Sequence, residues 1–196
     1  MSANLQKPGA PDRAFISDLT ELRNRAREQI MKGAVTPSYP EADRKAIVEL
    51  LNTALATEIV CVLRYKRHYF ATHGIRAKFV SAEFLEHANE EQAHADRIAE
   101  RIVQLGEDPD LNPATLLSRA HSEYDEATSL RAMLEADLVA ERIAIESYRE
   151  MINFIGPRDP TTRRLFESIL AQEEEHAEDL VDLLENLPKD RGRVEA

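Results

Sequence analysis

The sequence predicts an all-α protein: four long helices in a bundle, preceded by one shorter helix. Three observations carry that reading. Glycine is scarce, with 6 among 196 residues, and the helix-favouring Ala, Leu, Glu and Arg dominate. Apolar residues recur at three- and four-residue steps over long stretches, the period of a helix that buries one face. Turn signals are confined to a few short segments. Hydrophobic residues make up 43% and charged residues 31%, enough apolar content for a real core.

Residues 1–40 read as an appendage, bracketed by prolines at 8, 11, 37 and 40. Within it SDLTELRNRAREQIMK (17–32) predicts a short amphipathic helix, with Ser17 or Asp18 as N-cap and Leu19, Leu22, Ala26 and Ile30 along one side. That helix is expected to pack on the outside of the main domain. Contact with DNA through Arg23, Arg25, Arg27 and Lys32 is the lesser alternative, because acids are interspersed.

The main domain spans 41–187, with long helices near 41–72, 77–105, 127–154 and 160–187. His73-Gly74 makes a short link between the first two. In IGPRDP (155–160), Gly156 and Pro157 stop one helix and Asp159-Pro160 start the next. Short links make two antiparallel hairpins. The connection 106–127 is long and turn-rich, with room for a helical turn at 113–120. It carries the chain back across the bundle, so that the second and third long helices run parallel. Residues 188–196 form a tail.

The net charge is −11 and no strong basic patch stands out, so nucleic acid is not the default partner. Cys61 is the only cysteine, which excludes an intrachain disulfide and a CxxC metal pair. The start, MSANLQKPGAPDR, has no apolar core of a secretory signal, and runs such as IVCVL (59–63) are too short to span a bilayer. A cytoplasmic location with no membrane partner is expected.

Four acidic residues break the buried stripes. In the first helix Ile47, Leu51, Leu55, Val62 and Tyr65 surround Glu58, and in the third Leu134, Leu138, Ile145, Tyr148 and Ile152 surround Glu141. In the second, Glu91 interrupts Phe84, Ala88, Ala95, Ile98, Ile102 and Leu105. In the fourth, Glu173 and His176 interrupt Leu165, Ile169, Leu180, Leu183 and Leu187. EQAHAD (91–96) and EEEHAED (173–179) both carry Glu-x-x-His, as Glu91/His94 and Glu173/His176. TEIVCVLRY (57–65) and AERIAIESY (140–148) share Glu, six residues, Tyr. The chain is thus an internal repeat of two hairpins. Each stripe-breaking glutamate stands 16 or 17 residues from its hairpin turn, roughly 24–26 Å along a helix axis. Within each hairpin the two glutamates are level, and if the hairpins pack with matched mid-points all six side chains belong to one layer. An unpaired buried carboxylate costs several kcal/mol or takes up a proton. Four carboxylates and two imidazoles suit two divalent cations, with iron or manganese preferred by the oxygen-rich set.

These residues resemble the bacterioferritin branch of the ferritin-like superfamily, over about 41–187. The resemblance implies a ferritin-like four-helix bundle with one long crossover and two iron ions. It implies that Glu58, Glu91, His94, Glu141, Glu173 and His176 are the di-iron ligands, with Glu91 and Glu173 as candidate bridges. The other ring nitrogen of each histidine would be held by an acceptor that the sequence does not identify. Tyr65 matches a tyrosine beside that centre. The implied activity is ferroxidase: Fe(II) oxidised by dioxygen or peroxide and stored as ferric iron in a homo-oligomeric shell, with protection against oxidative stress. Gln92 stands where haem-binding members carry Met, which argues against haem. The short tail lacks the fifth helix of 24-subunit shells, which favours a twelve-subunit, Dps-like assembly. The extra N-terminal helix is not part of the bacterioferritin pattern. The alternative from the same superfamily is a stand-alone di-metal peroxidase or manganese catalase. A metal-free scaffold is disfavoured by the buried charge.

The neighbouring acids Glu86, Glu90, Glu135, Glu146, Glu174 and Glu175 are expected on solvated faces, and His68, His73 and His121 on the surface. His87 is a weaker candidate for an entry site, Cys61 a packed small residue, and Tyr148 a core residue.

Overall fold

The computed structural model describes residues 18–33, 39–72 and 78–187. Its elements are all helical: α1 (Leu19–Glu28), α2 (Glu41–Ala71), α3 (Lys78–Gln104), α4 (Leu116–Arg119), α5 (Leu130–Ile155) and α6 (Pro160–Asn186). The tail 188–196, His73 and the link that follows it lie outside the described residues.

Local chemistry sets the helix ends. Asp18 caps α1 by accepting from the Thr20 and Glu21 amides. Gly106 (φ 83) ends α3, with the Glu107 amide donating back to the Ile102 carbonyl, the bond pattern of a glycine-terminated helix. Gly156 (φ 52) follows α5. Asp159 then caps α6 by accepting from Thr161 and Thr162, with Pro160 in the first turn.

α2 and α3 form one hairpin, α5 and α6 the other. Side-chain pairs give the directions. Arg64 meets Asp137 while Tyr148 meets Glu58, so α2 and α5 are antiparallel. Arg97 meets Ser168 and Arg101 meets Thr162, so α3 and α6 are antiparallel as well. Hence α3 and α5 run parallel, as the long crossover requires. That crossover is tied to α2. Arg64 donates to the Glu123 carbonyl, Arg67 to those of Glu126 and Ala127, and the Thr57 hydroxyl accepts from the His121 amide.

Two apolar clusters fill the bundle. One holds Ile47, Leu51, Ile98, Ile102, Ile155, Phe166 and Ile169. The other holds Tyr65, Val80, Phe84, Met133, Leu134 and Leu180. In α6 the fully buried place belongs to Phe166, and Leu165 is only partly buried. Among the described residues α2 alone is long and apolar enough to cross a membrane, yet 56% of that apolar window is buried in the bundle and it contains Glu58. α1 buries none of its residues, and Leu19 and Leu22 are 51% and 48% exposed, so the bundle leaves its apolar side uncovered.

Candidate metal centre

Between the two apolar clusters lies a polar layer. Glu58, Glu91, His94, Glu141, Glu173 and His176 are each no more than 2% exposed. Their donor atoms form two overlapping groups. Glu58, Glu91, His94 and Glu173 present atoms within 4.8 Å of one another, and so do Glu91, Glu141, Glu173 and His176. Glu91 and Glu173 belong to both groups. All six residues singled out in the sequence are therefore brought together, one carboxylate from each long helix and a histidine from α3 and α6.

The layer is short of partners. Glu91 Oε1, both oxygens of Glu173 and His176 Nδ1 are buried without a hydrogen bond. His176 Nδ1 stands 3.4 Å from Glu91 Oε1, and His94 Nδ1 stands 3.1 Å from Glu173 Oε1 and 3.3 Å from Glu58 Oε2. Burial, then the charge of Glu91, pushes the carboxyl pKa of Glu58, Glu141 and Glu173 up. Burial would raise Glu91 too, but contacts with Glu58, His176 and His94 outweigh it and hold Glu91 down. Against the opposing effect of burial, the carboxylates push His94 well up and His176 to about 9. Without a cation, then, these acids share protons. Orphaned oxygens and an orphaned imidazole nitrogen facing one another are the donor set a pair of divalent cations fits.

Two tyrosines close the layer in a crossed pattern. The Tyr65 hydroxyl on α2 donates to Glu141 on α5, and the Tyr148 hydroxyl on α5 donates to Glu58 on α2. Burial and those carboxylates push both phenols up, so they stay protonated. Tyr148 thus touches the centre as closely as Tyr65, where a plain core residue was expected.

The acceptors behind the histidines are now visible. His94 Nε2 lies 3.0 Å from Gln172 Oε1, and His176 Nε2 lies 2.7 Å from Glu90 Oε2. Glu90 is therefore half-buried and engaged, not on a solvated face, while Glu86, Glu135, Glu146, Glu174 and Glu175 are exposed as expected. Each acceptor directly precedes the glutamate of a Glu-x-x-His, a signal the repeat offered. His87 is buried, stacks on His176 at 4.1 Å and places Nδ1 3.3 Å from the Tyr65 hydroxyl. Burial, then His176, lowers its pKa to about 4. His68 corrects the surface expectation. It is fully buried because Asp137 accepts from Nδ1 at 2.8 Å and crossover residue Asp125 lies over Nε2 at 3.5 Å. His121 is exposed, and Cys61 is buried against Arg64.

A four-helix bundle with one long crossover and a carboxylate–histidine layer at mid-height is the architecture of the helical carboxylate proteins. The chain belongs to the ferritin-like family, whose Ferritin-like domain matches residues 48–190. A bacterioferritin of Rhodobacter capsulatus is 30% identical over 140 residues, covering 71% of this chain and 80% of the relative. A nutrient stress-induced DNA-binding protein of Synechococcus sp. is 36% identical over 138 residues, covering 67% and 76%. Among solved structures, the dodecameric thioferritin of Bacteroides fragilis, a bacterioferritin-related protein, superposes with a TM-score of 0.70 at 36% identity, covering 73% of this chain and 86% of that one.

Proposed function

We propose that this chain is a cytoplasmic di-iron ferroxidase that stores ferric iron in a twelve-subunit shell. The observation that carries the reading is the set of buried, unpartnered donors on Glu91, Glu173 and His176, shared between two overlapping four-residue groups. Glu58 and His94 would serve one ferrous ion, Glu141 and His176 the other, with Glu91 and Glu173 between them. Two ferrous substrates supply two electrons, which with two protons from solvent take one hydrogen peroxide to two waters or one dioxygen to one hydrogen peroxide. The chain's own part is to hold the carboxylates at one height, fix the imidazoles from behind and exclude bulk water. Tyr65, whose hydroxyl donates to Glu141, would pass an electron to the centre. The family of relatives supports iron storage, and the Bacteroides fragilis protein supports a shell of twelve.

The test is aerobic addition of Fe(II) to metal-free protein. Rapid ferric absorbance is expected, slowed at least about tenfold in Glu91→Ala and in His176→Ala. Wild-type rates in both variants refute the site. Elution near 270 kDa is expected for twelve chains of 22.2 kDa, and elution as a dimer refutes the shell.

A further inference from the structure

The two halves of the centre are near-copies, and comparing them isolates one difference. Glu58 and Glu141, Tyr65 and Tyr148, Glu91 and Glu173, and His94 and His176 hold equivalent places in the repeat. The crossed tyrosine–glutamate bonds are equivalent too. In both halves the residue before the Glu-x-x-His glutamate closes the far side of the opposite histidine. Glu90 does so for His176 and Gln172 for His94. One imidazole is therefore backed by a carboxylate and the other by a neutral amide.

That difference acts on cation binding. A carboxylate that accepts from the far ring nitrogen fixes the tautomer and makes the near nitrogen a stronger donor. A bond to a carboxylate is also shorter and stronger than one to an amide, and here the lengths are 2.7 and 3.0 Å. With its Nε2 proton committed to Glu90, His176 turns Nδ1 toward the centre, where that atom is buried without a partner. The Gln172 oxygen orients His94 in the same way but lends it no charge. The surroundings differ in the same sense. His87 stacks on His176, whereas the repeat puts apolar Ile169 at the place equivalent to His87.

We propose that the two cation positions are unequal, and that the one bounded by Glu141 and His176 fills first, because Glu90 backs His176 where Gln172 backs His94. This rests on the reading of the layer as a dinuclear centre and adds an order of filling to it. Glu90 and Gln172 are positioning residues that act through the histidines.

The probe is Co(II), followed by its d–d absorption, titrated into the metal-free full chain in its native assembly. Wild type is expected to bind two ions per chain in steps separated by roughly 10- to 100-fold in affinity, the usual effect of such an acceptor. Gln172→Glu should strengthen only the weaker step and merge the two at the tight end. Glu90→Gln should weaken only the tighter step and merge them at the weak end. A merely structural role would not move the two steps in opposite directions. In crystals with one equivalent of cobalt, the anomalous signal should lie beside His176. Two equal steps in wild type, a first cobalt beside His94, or a Glu90→Gln protein weakened alike in both steps overturns the inequality and leaves the dinuclear centre standing. A protein that binds no cobalt overturns both.

Discussion

Two clusters of buried charge share α2, less than two helical turns apart. Around Arg64, each strong charge has a partner. Its Nε meets Asp137 Oδ1 at 2.7 Å, its Nη1 donates to the Glu123 carbonyl, and the second Asp137 oxygen accepts from His68 at 2.8 Å. Around Glu58, four carboxylates share a layer in which, among the described residues, the ion-pair partners are His94 and His176 alone. The first cluster pairs its guanidinium and carboxylate with protein atoms and ties the crossover to the bundle. The second leaves oxygens bare, and burial pushes three of its four carboxyls toward the protonated form. Similar residue types at similar depth therefore do opposite work, and what separates them is the presence of a guanidinium.

Breaking the paired cluster should have the largest effect. Asp137→Ala strands the Arg64 charge and should cost about 3–5 kcal/mol in urea unfolding, while the double change Arg64→Met, Asp137→Leu recovers most of that. The bare layer should respond to cations. At a hundredfold excess over its dissociation constant, Co(II) should stabilise the wild type by about 2.7 kcal/mol. Glu173→Gln should lose that gain yet equal or exceed the wild type in stability when both are metal-free. A Glu173→Gln protein as damaged as Asp137→Ala would erase the distinction between the clusters. A smaller effect, about 1–2 kcal/mol, is expected for Tyr148→Phe, which leaves Glu58 Oε1 without its donor.

The smallest effect concerns a paired carboxylate at the bundle end. Asp159 caps α6 and binds Arg101 and Tyr39. Burial opposes ionisation there, but Thr162 and Arg101 prevail and lower the pKa below its ordinary 3.8. A depressed folded-state pKa gives stability that is present above 3.8 and lost as pH falls through the folded value. Asp159→Asn, which keeps a cap, should flatten that acid-side loss in unfolding curves measured below pH about 4.

The six central residues were legible because each signal is local. A carboxylate in an apolar stripe shows by helical period, and equal distance from a hairpin turn shows by counting. His68 was not legible. Its burial depends on Asp125, which the crossover lays over it from 57 residues away in the chain. Glu90 and Gln172 sit at the edge of the stripe, where the period alone reads as solvent. The uncovered side of α1 was also illegible, since amphipathicity states that a face wants a partner and not which one.

By itself, then, the sequence determined the helices, their pairing into hairpins, and the common height of four acids and two imidazoles, because rise per residue and turn chemistry act within a few residues. Only the tertiary structure decided which atom stands behind each histidine, which tyrosine reaches which glutamate, and that Arg64 rather than a cation neutralises Asp137. Those outcomes depend on the axial offset and facing angle of helices that meet across the bundle, and no local period encodes them.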